Sequence, residues 1–233
     1  MVLVSASGPS GPLYVYGLCL ARGQHLTLPT GIAEPVRLIT VDALAAVVED
    51  NIDLEVLQGE STQLLAAVLS HDRVLCHLFQ QVPLLPLRFG TQFPSLDRLH
   101  AYLTQEQAVY QSKLLALADQ AEYQIKLIPV DLDPPPLPEG LKGRDYFLAK
   151  KQRLQDLALA QQQQQDERQR LLTAIASAYA EAVVDESAAD TKVYLLIPPS
   201  QADALRETLA HWQTQAPQWQ IHLSSALPPY HFV

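Results

Sequence analysis

"YQIKLIPVDL" (residues 123–132) sets Tyr123, Ile125 and Leu127 against Gln124 and Lys126. That alternation is the pattern of a half-buried strand. A long helical pattern precedes it and the stiff connector "DPPPLPEG" (133–140) follows it, so its allegiance decides the fold. If the strand opens a second sheet, the chain divides between Asp119 and Tyr123. If it closes the first sheet, the chain divides at the proline connector. The order of elements on either side favours the first division, with an N-terminal α+β domain over 1–120 and a C-terminal one over 121–233.

Working back from that strand, Ser95 stands as N-cap of a helix running to about Asp119. Its apolar stripe is Leu96, Leu99, Leu103, Tyr110, Leu114 and Leu117, at steps of three, four or seven. Before it lies "VPLLPLRFG" (82–90), whose Pro83 and Pro86 cannot donate ladder bonds, so the strand is at an edge or interrupted. From about Glu60 to Gln80 the pattern is helical, with Leu64, Val68, Leu75 and Phe79 close to one face. "VRLITV" (36–41) and "LAAVVED" (44–50) read as strands joined near Asp42, although the Ala- and Leu-rich start of the second is also compatible with helix. "LYVYGLCLA" (13–21) is a strand with Gly17 inside it, the place for a bulge or a close contact. Residues 22–35 read as loop. Residues 1–12, with Gly8, Pro9, Gly11 and Pro12, read as a flexible arm.

Beyond the connector a helical region covers 143–185. Its middle, "QQQQQDERQR" (161–170), has no apolar face, and Leu172, Ile175, Tyr179 and Val183 restore the stripe. It is either one long helix or two meeting near the glutamines. "KVYLLIP" (192–198) is a strand, 200–215 a helix carrying Leu205, Leu209 and Trp212, and "WQIHLSS" (219–225) a last strand. Strands and helices intermix without a steady βαβ rhythm. The expected fold class is therefore α+β, in two domains. Each is a modified ferredoxin-like sheet with helices packed on one face, and an ordered C-terminal tail follows.

Of the 233 residues, 48% are hydrophobic and 18% charged, enough apolar material for a real core. The net charge is −9, spread as −5 over 1–120 and −4 over 121–233. Neither half attracts phosphate, which argues against a nucleic-acid partner. The one basic cluster, Lys142, Arg144, Lys150, Lys151 and Arg153, is interrupted by Asp145 and has no aromatic stacking ladder. It reads as the solvated start of a helix. Cys19 and Cys76 lack metal or CxxC spacing and read as buried free thiols of a reducing cytosol. No signal peptide is visible, and no run approaches the roughly 20 apolar residues of a membrane helix. The expectation is a soluble intracellular protein with no membrane partner.

The search for chemistry is negative. His71 and His77 in "HDRVLCH" are six apart and fall on different helix faces, so neither a metal site nor a Cys–His pair follows. They read as surface or helix-packing histidines. Glu49, Asp50 and Asp53 read as a solvated turn rather than a carboxylate dyad. There is no GxGxxG, P-loop, GxSxG, HExxH or EF-hand loop. The expected site list is thus no catalytic, cofactor-binding or metal residues, no cofactor and no enzymatic activity. Four residues remain as structural or partner contacts: Arg88, Phe89, Tyr230 and Phe232. In an extended strand Arg88 has apolar neighbours on both sides. It either covers core while its head finds Glu49 or Asp50, the favoured reading, or anchors a partner. In the tail (226–233), Pro228 and Pro229 set an extended path that puts Tyr230 and Phe232 on one side, so the tail is expected to dock on its own protein.

Three stretches together resemble the gas vesicle protein F/L family (GvpF/GvpL). "LYVYGLCLA" is similar to its opening strand and "VPLLPLRFGTQF" (82–93) to its proline-interrupted P-x-R-F-G-T segment. "LPPYHF" (227–232) is similar to its closing Gly-Pro-Trp-Pro-Pro-Tyr-x-Phe. "GRDYFLAKKQRL" (143–154) resembles the opening of its second half, and Ser225, Ala226 and Leu227 depart from the pattern where it has Gly-Pro-Trp. The resemblance runs from about Leu13 to Phe232. It implies two modified ferredoxin-like domains and no catalytic residues. It also implies an accessory or minor structural role in forming gas vesicles, the buoyancy shells of cyanobacteria, other bacteria and archaea. The implied partner is the small apolar GvpA-type shell protein, with other gas vesicle accessory proteins beside it, and the implied place is the cytoplasm at the vesicle. The rival class is a small-ligand or enzymatic module on a ferredoxin-like scaffold.

Overall fold

The first strand, β1 (Leu13–Leu20), is buried along almost its whole length. A strand covered on both faces needs no polar alternation, which is why "LYVYGLCL" is an unbroken apolar run. The computed structural model describes residues 11–21, 25–133, 136–138, 140, 142–186 and 190–233. The expected flexible arm lies outside the described residues except for Gly11 and Pro12.

β1 pairs antiparallel with β3 (Leu44–Asp50), and β3 with β2 (Arg37–Val41). Asp42, at a φ of 51°, turns the chain between β2 and β3, so the segment that was also compatible with helix is a strand. β4 (Leu84–Pro86) and β5 (Gln92–Phe93) both pair with β1, giving the order β2-β3-β1-β4. The register of β1 shifts between Val15 and Gly17, a bulge that leaves Tyr16 as the extra residue. A Cβ on Gly17 would stand 2.8 Å from the Leu85 carbonyl, so the position also needs glycine for close approach.

α1 (Leu54–Gln58) is a single turn capped by Asp53, and α2 (Ser61–Phe79) follows. The buried face of α2 is Ala67, His71, Val74, Leu75 and Leu78. The expected stripe through Leu64 and Val68 is therefore displaced, because the face over Tyr14 and Tyr16 takes a small residue and a hydrogen-bonding ring instead of two large aliphatics. Ser95 caps α3 (Leu96–Gln105) by accepting from the Arg98 N–H. The helix expected to reach Asp119 breaks at Glu106 and resumes as α4 (Gln107–Ala116). Leu99, Leu103 and Leu114 pack with Leu13, Val15 and Leu18 on one face of the sheet. Val74, Leu75 and Leu78 of α2 pack with Tyr14, Tyr16 and Cys19 on the other. Helices thus cover both faces of this sheet, which corrects the expectation of one covered face.

β6 (Ala121–Pro129) pairs antiparallel with β9 (Trp219–Leu223), and β7 (Val183–Asp185) with β8 (Thr191–Ile197). The order is β7-β8-β6-β9. α5 (Gly143–Ala178) is one continuous helix through the glutamines, and α6 (Ala202–Gln215) lies between β8 and β9. β7 falls where helix was expected. Strand order second-third-first-fourth is consistent with the split βαβ pattern, and both sheets have it. In the first sheet, loop 25–36 stands where the first crossover helix would be.

The chain forms two compact units, Met1–Glu122 with Ala226–Val233, and Tyr123–Ser225. Residues 226–233, assigned from sequence to the C-terminal domain, belong with the first unit. The tail is not extended either. Tyr230 N–H donates to Pro228 O at 2.8 Å and turns the chain, so Tyr230 and Phe232 do not project as neighbours of a strand.

Candidate functional site

The sequence motifs around Tyr14 and Arg88 meet at one polar cluster inside the first unit. Tyr14 and Tyr16 both project from β1 toward α2, because strand alternation puts residues two apart on one side, and the bulge at Tyr16–Gly17 then brings Cys19 rather than Leu18 to that side. Their ring centroids are 4.9 Å apart, edge to face, and His71 stacks on Tyr16 at 5.1 Å. Phe89 closes the cluster with edge contacts to Tyr14 and His71.

The hydrogen bonds run in one direction. The Leu87 carbonyl can only accept, so His71 Nε2 carries the proton and donates to it at 3.1 Å. His71 Nδ1 is then an acceptor, and Tyr14 OH donates to it at 2.8 Å. Tyr14 OH in turn accepts from Gly90 N–H at 3.2 Å. Burial holds His71 below the ordinary 6.5 and pushes the Tyr14 phenol up to about 12. The chain Gly90–Tyr14–His71–Leu87 therefore pins both ends of the turn that carries Arg88 and Phe89. Thr91 adds a bond from its hydroxyl to the Arg88 carbonyl at 2.7 Å.

A second set of bonds starts at Glu49, which is fully buried. Its carboxyl oxygens accept from the N–H groups of Ile32 (2.8 Å), Ala33 (2.7 Å) and Glu34 (2.5 Å), and from Tyr16 OH. Ile32 N–H also reaches Tyr16 OH at 2.9 Å. Burial, then the bond to Glu49, drives the Tyr16 phenol far above the ordinary 10. A Cβ on Gly31 would overlap the Glu49 carboxyl group, so the loop closes over it only with glycine there. The reading of Glu49, Asp50 and Asp53 as a solvated turn is thus corrected. Alternation along β3 points Glu49 inward beside Ala45 and Val47. Asp50 pairs bidentately with Arg37 at 2.7 and 2.9 Å, and Asp53 caps α1.

Arg88 itself is exposed. With Glu49 and Asp50 both engaged elsewhere, the favoured intramolecular reading fails, and among the described residues its guanidinium has no ion pair. Phe89 is half-buried against Tyr14 and His71. Tyr230 and Phe232 are half-buried, apart from that turn. Tyr230 packs at the α2 face, where its OH donates to Asp72 Oδ1 at 2.5 Å. Glu122, fully buried, accepts from His231 N–H at 2.8 Å and lies 2.8 Å from His231 Nδ1. Glu122 and Leu227 exchange backbone bonds at 3.0 and 2.9 Å. Pro228 and Pro229 are buried as well.

Sequence reading missed Tyr14, Tyr16, Glu49 and His71 as a group. The available signal was two tyrosines in an otherwise apolar strand, whose hydroxyls need partners, and a Glu in register with them. In the second unit, a groove of about 470 Å³ is lined by Glu167, Arg170, Leu171 and Trp212 among others. Its charged groups are engaged by the chain: Glu167 accepts from Gln218 N–H at 2.9 Å, and Arg170 Nε donates to the Asp166 carbonyl at 3.2 Å. No group of three or more His, Cys, Asp or Glu among the described residues is placed to hold a metal ion. No helix among them is long and apolar enough to cross a membrane.

The family described as "Gas vesicle synthesis protein GvpL/GvpF" matches residues 12–233, nearly the whole chain. The chain belongs to the GvpL/GvpF family. Gas vesicle protein F of Streptomyces sp. (strain CB03234) is 37% identical over 119 residues, a match that takes in 48% of this chain and 47% of that protein. The chain thus spans about half the length of this curated relative where the two match. The crystal structure of GvpF from Microcystis aeruginosa superimposes with a TM-score of 0.67 at 18% identity, covering 95% of this chain and 98% of that one. GvpF from Anabaena sp. PCC7120 gives 0.66 at 17%, covering 96% of each. At those identities the likeness carries the α+β fold with its two sheets.

Proposed function

We propose that this GvpL/GvpF-family chain is an accessory protein that binds the small, very apolar gas vesicle shell protein and assists its assembly, in the cytoplasm and at the vesicle. Other gas vesicle accessory proteins are further partners in this reading, and no catalysis is involved. The observation that carries it is the state of Arg88. A rigid turn, fixed from below by Tyr14 and His71, presents beside the edge strand β4 a guanidinium that has no ion pair among the described residues. Arg is favoured at interfaces because its planar fork binds carboxylates and carbonyls while its stem covers apolar surface. A preformed turn adds little ordering cost on binding. The acidic charge of the chain keeps a complex with an apolar partner in solution.

Arg88→Ala tests this. The expected result is loss of shell-protein retention with an unchanged melting temperature. A lowered melting temperature with retention intact returns Arg88 to a structural role and removes the support.

A further inference from the structure

We infer that this protein self-associates head to tail, the start of α5 of one copy docking on the α1–α2 face of the next. The two surfaces lie on different units of the chain, and both are exposed in the isolated chain. This goes beyond the shell-protein reading and does not depend on it.

The first surface is the N-terminal part of α5. No residue of that helix before Glu167 is buried, yet it carries large apolar side chains. Phe147 is 69% exposed and Leu154 60%. They are seven residues apart and so lie on one stripe, with Lys150 and Lys151 between them at three and four residues from Phe147. Tyr146 extends the stripe by its edge contact with Phe147. Asp145 and Asp156 fall on the far side of the helix. Residues 142–157 hold five Lys or Arg against two Asp, in a chain whose net charge is −9. A polar solvated helix start needs no exposed phenylalanine. A basic stripe with an apolar centre is the pattern of a helix that binds an acidic surface with apolar side chains.

The second surface has that complementary chemistry. On α2, Leu65 and Leu69 are each 60% exposed, and Val68 lies between them on the same stripe. On α1, Val56 is 62% exposed. Exposed carboxylates of Asp53, Glu55 and Glu60 accompany them, and no Lys or Arg occurs between Arg37 and Arg73. The two patches match in charge and in apolar content. Every molecule carries both halves of the match, so a second copy is the partner always present. The contact joins unlike patches, so it repeats from copy to copy and forms a ring or an open row.

Sedimentation velocity on the full chain across a concentration series tests the inference. The expected result is association at low salt that is lost near about 1 M salt, where screening acts within roughly 3 Å. Lys150→Glu with Lys151→Glu should weaken association at least about tenfold, and so should Glu55→Lys with Glu60→Lys. Mixing these two charge-reversed proteins should restore it, because each then offers the other complementary faces. Phe147→Ser, which leaves charge untouched, should also weaken it. All these positions are exposed, and circular dichroism checks folding. A monomer at every concentration and salt overturns the inference, as does association that neither reversal alters or that mixing fails to restore. Monomeric protein that binds phosphatidylserine vesicles through Lys150 and Lys151 overturns it in favour of a membrane surface. Binding of purified shell protein lost by the same reversals, without self-association, overturns it in favour of that partner.

Discussion

Glu49 shows how a single side chain can organise a loop. A fully buried carboxyl group costs several kcal/mol unless its lone pairs are filled, and here three consecutive backbone N–H groups and a phenol fill them. Glu49→Ala strands those donors in the interior. It should lower stability by about 3–5 kcal/mol, read from urea denaturation midpoints. A change below about 0.5 kcal/mol would mean that loop 31–34 closes without it. His71 gives a pH test. Its folded pKa lies below the unfolded value of 6.5, so the unfolded state binds more protons in the window between the two values. Its contribution is therefore complete above pH 6.5 and is lost as pH falls from there through the folded value. The melting temperature of the wild type should fall on acidification from neutral pH more steeply than that of His71→Gln. Parallel curves would show that His71 does not titrate against folding. Neither residue could be assigned from the sequence, because a lone Glu at a strand end and a lone His on a helix are usually solvated. Alternation puts Tyr14 and Tyr16 on one side of β1, but only the packing of α2 and of loop 31–34 against that side brings His71 and Glu49 to them.

The elements divide by how local their causes are. β1, β6, β8 and the Ser95 cap follow from period and capping chemistry, and the sequence shows them directly. The stripe of α2 is less legible, since the large residues Leu65, Val68 and Leu69 face solvent and the buried positions include Ala67 and His71. Periodicity marks an amphipathic helix, but which face turns inward depends on the sheet it meets. The break at Glu106 and the strand β7 carry no breaker residue and were invisible. The tail was half legible: docking was expected, but the contacts are a turn over Pro228 and Pro229 with Tyr230 on Asp72 and His231 on Glu122. Deleting residues 228–233 removes the two buried prolines and uncovers Glu122. The loss should be roughly 2–4 kcal/mol, lowering the melting temperature by about 3–5 °C per kcal/mol in a unit of this size. An unchanged melt with lost partner binding would make the tail a ligand-facing segment instead.

At the scale of the molecule, two sheets share one strand order although no internal repeat is visible in the sequence. Strand order follows from short antiparallel connections and the split βαβ rule, which constrain topology without fixing residues. The first unit is closed by a segment from the far end of the chain, pinned where Glu122 and Leu227 pair. A division by linear position could not place that segment, because the pairing is a long-range contact with no local signal. The family resemblance, by contrast, rests on stretches that are each legible locally: β1, the turn at Arg88 and the tail in the first unit, and the start of α5 in the second. In the function proposed above, this scaffold holds the Arg88 turn ready for the shell protein. Co-purification with that protein, comparing the full chain with Arg88→Ala at equal melting temperature, tests it most directly. Retention by the wild type and at least about tenfold loss in the variant are expected. No retention by the wild type, or equal retention by both, would contradict it.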